Sequence, residues 1–242
     1  MNRRQLLTAL GIAAIPTVAG CTGQSNSPVE NGDRTHTRTM EQTVTSRQDD
    51  ESIDPRFGYV GTGDGTPPHD PDHTVDLLTK PRDNVPIPEF YFEPTGLAVE
   101  QGDTVRFNLT TPHHNVNAYH PAFGYTQRVP EDVPPFSSPI LGAGEYWLYT
   151  FEAEGVHNIM CAPHELFGMV GSIVVESATG PGKNPVGEAP APSEESRSPE
   201  FTAGLVLSDP AMAPDNVVDE GSVSWTDLAP ESKRPLLGPA EE

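Results

Sequence analysis

From residue 73 to about 176 the chain breaks into short apolar stretches separated by Gly and Pro, and the clearest of them alternates. In 104–109, Val105, Phe107 and Leu109 interleave with Thr104, Arg106 and Asn108, the two-residue period of a strand with one face buried. Further strands are predicted at 74–79, at 90–95 (stopped by its Pro), at 97–100 before a turn at 101–103, and at 145–151, where aromatic side chains dominate. Turns at 142–144 and 154–155 carry Gly, and two more strands are predicted at 156–160 and 170–175. No stretch of 73–176 shows an amphipathic helical period. Many short strands between turns predict an all-β fold, a two-sheet Greek-key sandwich. Loops at one end of such a rigid frame hold side chains at fixed distances.

The flanks read differently. Residues 57–72 hold a short apolar patch (Phe57, Tyr59, Val60), an edge strand or a cover for one face, and then a turn-rich loop. Residues 22–56 are polar and predict a flexible tether in which His36 and Met40 are solvated. Residues 178–242 hold ten Pro, twelve acidic and four basic residues; 184–200 is predicted to be a disordered linker. Within 201–228, the runs 201–207 and 217–228, the latter with Trp225, are apolar enough to dock. They pack on the sandwich or bind a partner, and packing is favoured because exposed apolar runs are costly. At the start, Arg3 and Arg4 precede an apolar run that is too short for a spanning helix. Residues 1–21 resemble a twin-arginine export signal ending in a lipobox, with Cys21 as the lipid-modified first residue of the mature protein. The predicted organisation is therefore 1–21 signal, 22–56 tether, 57–72 pre-domain segment, 73–177 β domain and 178–242 acidic, Pro-rich extension.

The formal charge is −21, from 35 acidic and 14 basic residues, which excludes a nucleic-acid partner. Loss of Arg3 and Arg4 with the leader makes the mature chain two charges more negative. This composition resembles that of secreted proteins of extreme halophiles. Molar salt shortens the screening length to about 3 Å, so recognition there rests on apolar contact.

Candidate chemistry lies in one stretch. Cys161, His164 and Met169 place a thiolate, an imidazole and a thioether within nine residues, and such donors suit copper. Pro163 restricts Ala162 to extended or turn backbone, and Gly168 permits a tight approach before Met169. A second imidazole completes a blue-copper set of two His, one Cys and a long axial Met. The pair His113-His114 supplies it from far upstream. Only two Cys are present; with Cys21 lipidated, Cys161 is a lone thiol facing an oxidising exterior, a liability unless an ion occupies it.

His114-Asn115-Val116, with Cys161-Ala162-Pro163-His164 and Gly168-Met169, resembles the small blue copper proteins, the cupredoxins, in the spacing seen in plastocyanin, pseudoazurin and the halocyanins of haloarchaea. The likeness covers 73–176. It implies a Greek-key cupredoxin sandwich holding one copper ion on His114, Cys161, His164 and Met169. It also implies that Asn115 ties the two ligand segments together and that the exposed edge of His164 is the electron port. His113, adjacent in sequence, is expected to point the other way. The residues before Cys161, 157–160, depart from the aromatic pattern usual there. His113, His120 and His157 are extra imidazoles, read as surface or supporting groups rather than as a second, weaker metal site. Asn108-Leu109-Thr110 matches a glycosylation acceptor, a weak three-residue signal. The implied role is one-electron transfer, not enzymatic catalysis. The expected protein is a monomer, lipid-anchored at the extracytoplasmic face of the membrane, with membrane-associated redox proteins as donor and acceptor. The alternatives are a copper carrier or storage module, or a copper-containing oxidoreductase subunit. The second usually flanks its Cys with ligand histidines, where this chain has Met160 and Ala162.

The charge makes a first prediction. Thermal unfolding midpoints rise from low to molar salt as self-repulsion is screened; a midpoint that falls or stays level contradicts the halophilic reading.

Overall fold

The computed structural model describes residues 52–63, 65–83, 85–187 and 196–234. The signal and Cys21, His36, Met40 and most of the tether lie outside them, as does the centre of the predicted linker. Among the described residues there are ten strands: β1 Tyr59–Thr62, β2 His73–Arg82, β3 Val85–Glu93, β4 Gly96–Val99, β5 Thr104–Leu109, β6 Asn117–Ala118, β7 Glu145–Thr150, β8 Gly155–Met160, β9 Val170–Val175 and β10 Ser222–Val223. Two short helices, α1 Phe201–Leu207 and α2 Pro214–Glu220, follow β9 in the chain. One sheet runs β1-β7-β5-β2-β3 and the other β10-β4-β9-β8-β6. β2 pairs parallel to β5 and β4 parallel to β9; the remaining ladders are antiparallel.

The alternation read in 104–109 is realised. Val105, Phe107 and Leu109 are buried between the sheets with Val75, Leu77, Phe92, Ile159 and Ile173. β3 begins five residues before the predicted strand and carries Pro86 and Pro88. It is an edge strand, paired only with β2, and an edge tolerates the missing N–H donors of proline. The 57–60 patch enters the sheet through β1, which pairs with β7. Trp147 Nε1 donates to the Phe57 carbonyl and the Tyr149 hydroxyl to that of Pro55, so the segment ahead of β1 is pinned to the aromatic strand.

Every residue of β8 and β9 is buried, because both faces of this sheet are covered. Ile159, Ile173 and Val175 face the first sheet, whereas Val156, Met160, Val170 and Val174 face outward into a second apolar layer. The C-terminal extension forms that layer with Ala203 and Val206 of α1, Met212, Val217 of α2, Val223, Trp225 and Leu228. The apolar runs in 201–228 therefore pack on the sandwich. Gly96 makes room for them: a Cβ there would stand 2.9 Å from Val217 Cγ2. Trp225 stacks on Tyr91 at 5.1 Å between ring centroids, and its backbone N–H donates to Glu93.

Trp225→Ala is expected to destabilise the protein by about 3–5 kcal/mol in denaturant unfolding, the usual cost of emptying a large buried aromatic site. A loss below about 1 kcal/mol would mark the extension as a surface appendage.

Candidate metal centre

The centre forms where two segments meet at one end of the sandwich. β8 ends at Met160, and Cys161 opens a 3-10 turn, Ala162–Phe167, closed by Gly168 in the left-handed region at φ 86°. This backbone folds the nine-residue stretch back on itself: the Cys161 N–H donates to the Met169 carbonyl at 3.0 Å, and the Met169 N–H to the His164 carbonyl at 3.1 Å. The other segment is anchored by a pair of bonds, His113 N–H to the Leu141 carbonyl and Leu141 N–H to the His114 carbonyl, both 2.9 Å. Asn115 joins the two segments. Its side-chain oxygen accepts from the Ala162 N–H at 2.9 Å, and its own N–H points at Cys161 Sγ at 3.5 Å.

Three donor atoms converge. His114 Nδ1 and His164 Nδ1 are 3.1 Å apart, and Cys161 Sγ lies 3.4 Å from His164 Nδ1 and 3.6 Å from His114 Nδ1. The centre of this nearly equilateral triangle is about 2.0 Å from each corner, close to the bonds of about 2.0 Å to imidazole and 2.3 Å to thiolate that a zinc ion makes, so the triangle has room for a first-row metal ion. A trigonal pair of imidazoles with one thiolate suits copper. Met169 is fully buried beside Cys161 in the core, with its backbone bonded to both Cys161 and His164. Among the described residues this is the one cluster of three or more potential His, Cys or carboxylate ligands.

The surroundings orient each ring. His114 Nε2 lies 3.0 Å from the hydroxyls of both Thr79 and Thr111, which leaves Nδ1 facing the cluster. Such outer bonds fix the ring and its tautomer. His164 stacks on Phe90 at 4.1 Å between centroids and 10° between planes, and Phe90 stacks in turn on Phe167. Thr79 comes from β2, Phe90 from β3 and Thr111 from the β5–β6 connection. No motif in the chain marks them; only tertiary proximity does.

The extra imidazoles lie elsewhere. His113 is exposed, with its backbone at φ 71°; its departure from the cluster comes from this turn rather than from strand alternation. His120 Nδ1 accepts from the Ala122 N–H. His157 is buried, its Nε2 bonded to the Ala153 carbonyl and its ring edge-on to Phe151. Asn108 is also occupied, its amide donating to Asp76 and its oxygen accepting from Arg106.

Burial controls the protonation of the donors. It lowers the basicity of His114 to about 4, with repulsion from His164 and His113 adding to the effect. It lowers that of His164 as well, and it pushes the Cys161 thiol up to about 11 against the pull of nearby backbone N–H groups. A bound cation inverts this preference, because a coordinating thiol is deprotonated.

Comparison with known proteins agrees with the geometry. The family described as copper binding proteins, plastocyanin/azurin family, matches residues 83–176. Over 106 residues the chain is 32% identical to the pseudoazurin of Paracoccus pantotrophus, covering 44% of this chain and 64% of the relative. Over 89 residues it is 34% identical to the plastocyanin of Prochlorothrix hollandica, covering 35% and 63%. In both cases the chain spans less than two thirds of the relative's length. The crystal structure of pseudoazurin from Methylobacterium extorquens AM1 is 26% identical, covering 44% of this chain and 78% of that one, with a TM-score of 0.36.

Burial holds the Cys161 thiol toward its protonated form and His114 toward its neutral form, so binding of a metal ion to the sulfur would displace a proton. Between about pH 5 and 9, apparent cupric affinity is expected to rise about tenfold per pH unit, with about one proton released per ion. Calorimetry in buffers of different ionisation enthalpy measures that proton; no release would mean that the thiol is not a ligand.

Proposed function

We propose that this protein is a cupredoxin, with its copper-binding domain over residues 73–177, and that it carries single electrons through one copper ion held by His114, Cys161, His164 and Met169. The convergence of Cys161 Sγ with the two Nδ1 atoms, each 3.1–3.6 Å from the others, carries this reading. Copper supplies the one-electron couple between its cuprous and cupric states.

The chain's own residues do the rest. Asn115 and the self-closing loop hold the donors at nearly fixed separation, and a donor cage that barely rearranges lowers the barrier to electron exchange. Thr79 and Thr111 keep the His114 ring from turning. Cys161, His114 and Met169 are wholly buried, so water and small reductants are kept from the sulfur. His164 is only partly buried. Beside it Pro163 is exposed and Leu166 is 52% exposed, an apolar surface through which electrons enter and leave. The same burial weighs against a copper carrier, since handover needs exposed, labile ligands.

The chain start supports an extracytoplasmic position. The paired arginines, the short apolar run and Cys21 suit export and a lipid anchor, with membrane-associated redox proteins as donor and acceptor and a monomer as the working form. The acidic surface suits high salt, where such contacts are small, transient and apolar. Among the described residues no helix is long and apolar enough to cross a membrane. Mass spectrometry of the membrane-extracted chain is expected to find a diacylglyceryl group on Cys21; an unmodified N-terminus would refute the anchor.

The purified chain titrated with cupric ion is expected to turn intensely blue or green at one equivalent, with a small or rhombic copper hyperfine splitting. Cys161→Ser abolishes the colour and His113→Ala leaves it unchanged. A pale product with an ordinary square-planar signal would overturn the reading.

A further inference from the structure

The ligand loop is held from its outer side by a part of the chain that lies beyond the matched family region. Glu165, next to His164, turns its side chain away from the donor triangle and is 2% exposed. Its carboxylate accepts from the Tyr119 hydroxyl at 2.9 Å, the Tyr125 hydroxyl at 3.1 Å and the Glu200 N–H at 3.1 Å. Arg197 Nη2 donates to it at 2.6 Å and to the Tyr125 hydroxyl at 2.7 Å, with the guanidinium 4.2 Å above the Tyr125 ring. A second clamp follows directly: Thr202 Oγ1 donates to the Leu166 carbonyl at 2.7 Å. Gly168 faces the same segment, since a Cβ there would stand 3.5 Å from the Thr202 carbonyl and from Val206 Cγ2.

A buried carboxylate needs a counter-charge and saturated lone pairs. Here the counter-charge comes from the extension, and so do an N–H donor and the hydroxyl that caps the next carbonyl. The loop that carries Cys161, His164 and Met169 is thus fixed on its inner side by Asn115 and on its outer side by residues 197–206.

We propose that residues 197–206 form an intramolecular clasp on the ligand loop, and that Arg197 and Thr202 are positioning residues for the metal centre. The clasp limits how far the backbone bearing His164 and Met169 relaxes when the charge of the site changes. Its link to electron transfer rests on the copper reading, but its effect on the loop does not.

The test uses the full chain as wild type, Arg197→Gln and Thr202→Val, the last removing one hydroxyl at nearly constant volume. In metal-free protein, amide hydrogen exchange at Gly168 and Met169 is expected to quicken about tenfold in both variants, while Val105 and Phe107 of β5 stay within about twofold. Unchanged loop exchange overturns the clasp, as does equal acceleration of loop and β5, which would indicate only global destabilisation. In copper-loaded protein, both variants are expected to shift the midpoint potential and the copper hyperfine splitting. Loosened loop exchange with an unaltered potential and spectrum overturns the positioning role. A wild type that never forms the coloured species refutes the copper reading and with it the positioning role, while the exchange measurement still decides the clasp.

Discussion

Two contacts made by Asn115 hold together segments 47 residues apart: its side-chain oxygen meets the Ala162 N–H and its own N–H meets the Cys161 sulfur. The pairing of β6 with β8 brings the same segments side by side, and the Asn115 junction sets where His114 stands relative to the Cys161 sulfur. One hydrogen bond in water is a weak tie, worth about 1 kcal/mol net. It suffices here because both partners are delivered by buried structure. β8 presents Cys161 at its end, and the bonds between His113, His114 and Leu141 bring Asn115 to it. Rigidity on either side turns a small energy into a fixed geometry.

The two-layer burial of the second sheet follows from the same demand. A strand that leads into Cys161 transmits any movement to it, and β8 and β9 bracket the whole loop from Cys161 to Met169. With the first sheet on one side and the extension on the other, both strands are clamped between packed layers. Apolar contact of this kind contributes about 1.5–3 kcal/mol for each large side chain removed from water. The extension is therefore part of the frame that holds the centre.

Much of this was legible in the chain. The 104–109 alternation and the apolar 170–175 run each report their own burial, and Cys161, His164 and Met169 announce a shared loop by spacing alone. What escaped reading has a common cause. Pro86 and Pro88 look like breakers because proline weakens a central strand, and only the sheet order reveals that β3 is an edge. Thr79, Thr111 and Phe90 are ordinary residues on strands or loops, made into ring supports by folding. Arg197 lies in a stretch whose composition reads as linker, and its meaning depends on Glu165, a residue that on its own looks like one more surface carboxylate. Local pattern marks the candidate ligands, whereas the groups that orient their side chains are set by topology.

The complete burial of Cys161 also bears on the protein's life before it acquires an ion. A sulfur sealed in the core and kept as a thiol is a poor target for peroxide or for mixed disulfide formation, since both chemistries need an accessible thiolate. Burial of the sulfur thus removes the liability expected of a lone thiol, because access to the sulfur, and not only a bound ion, limits its oxidation.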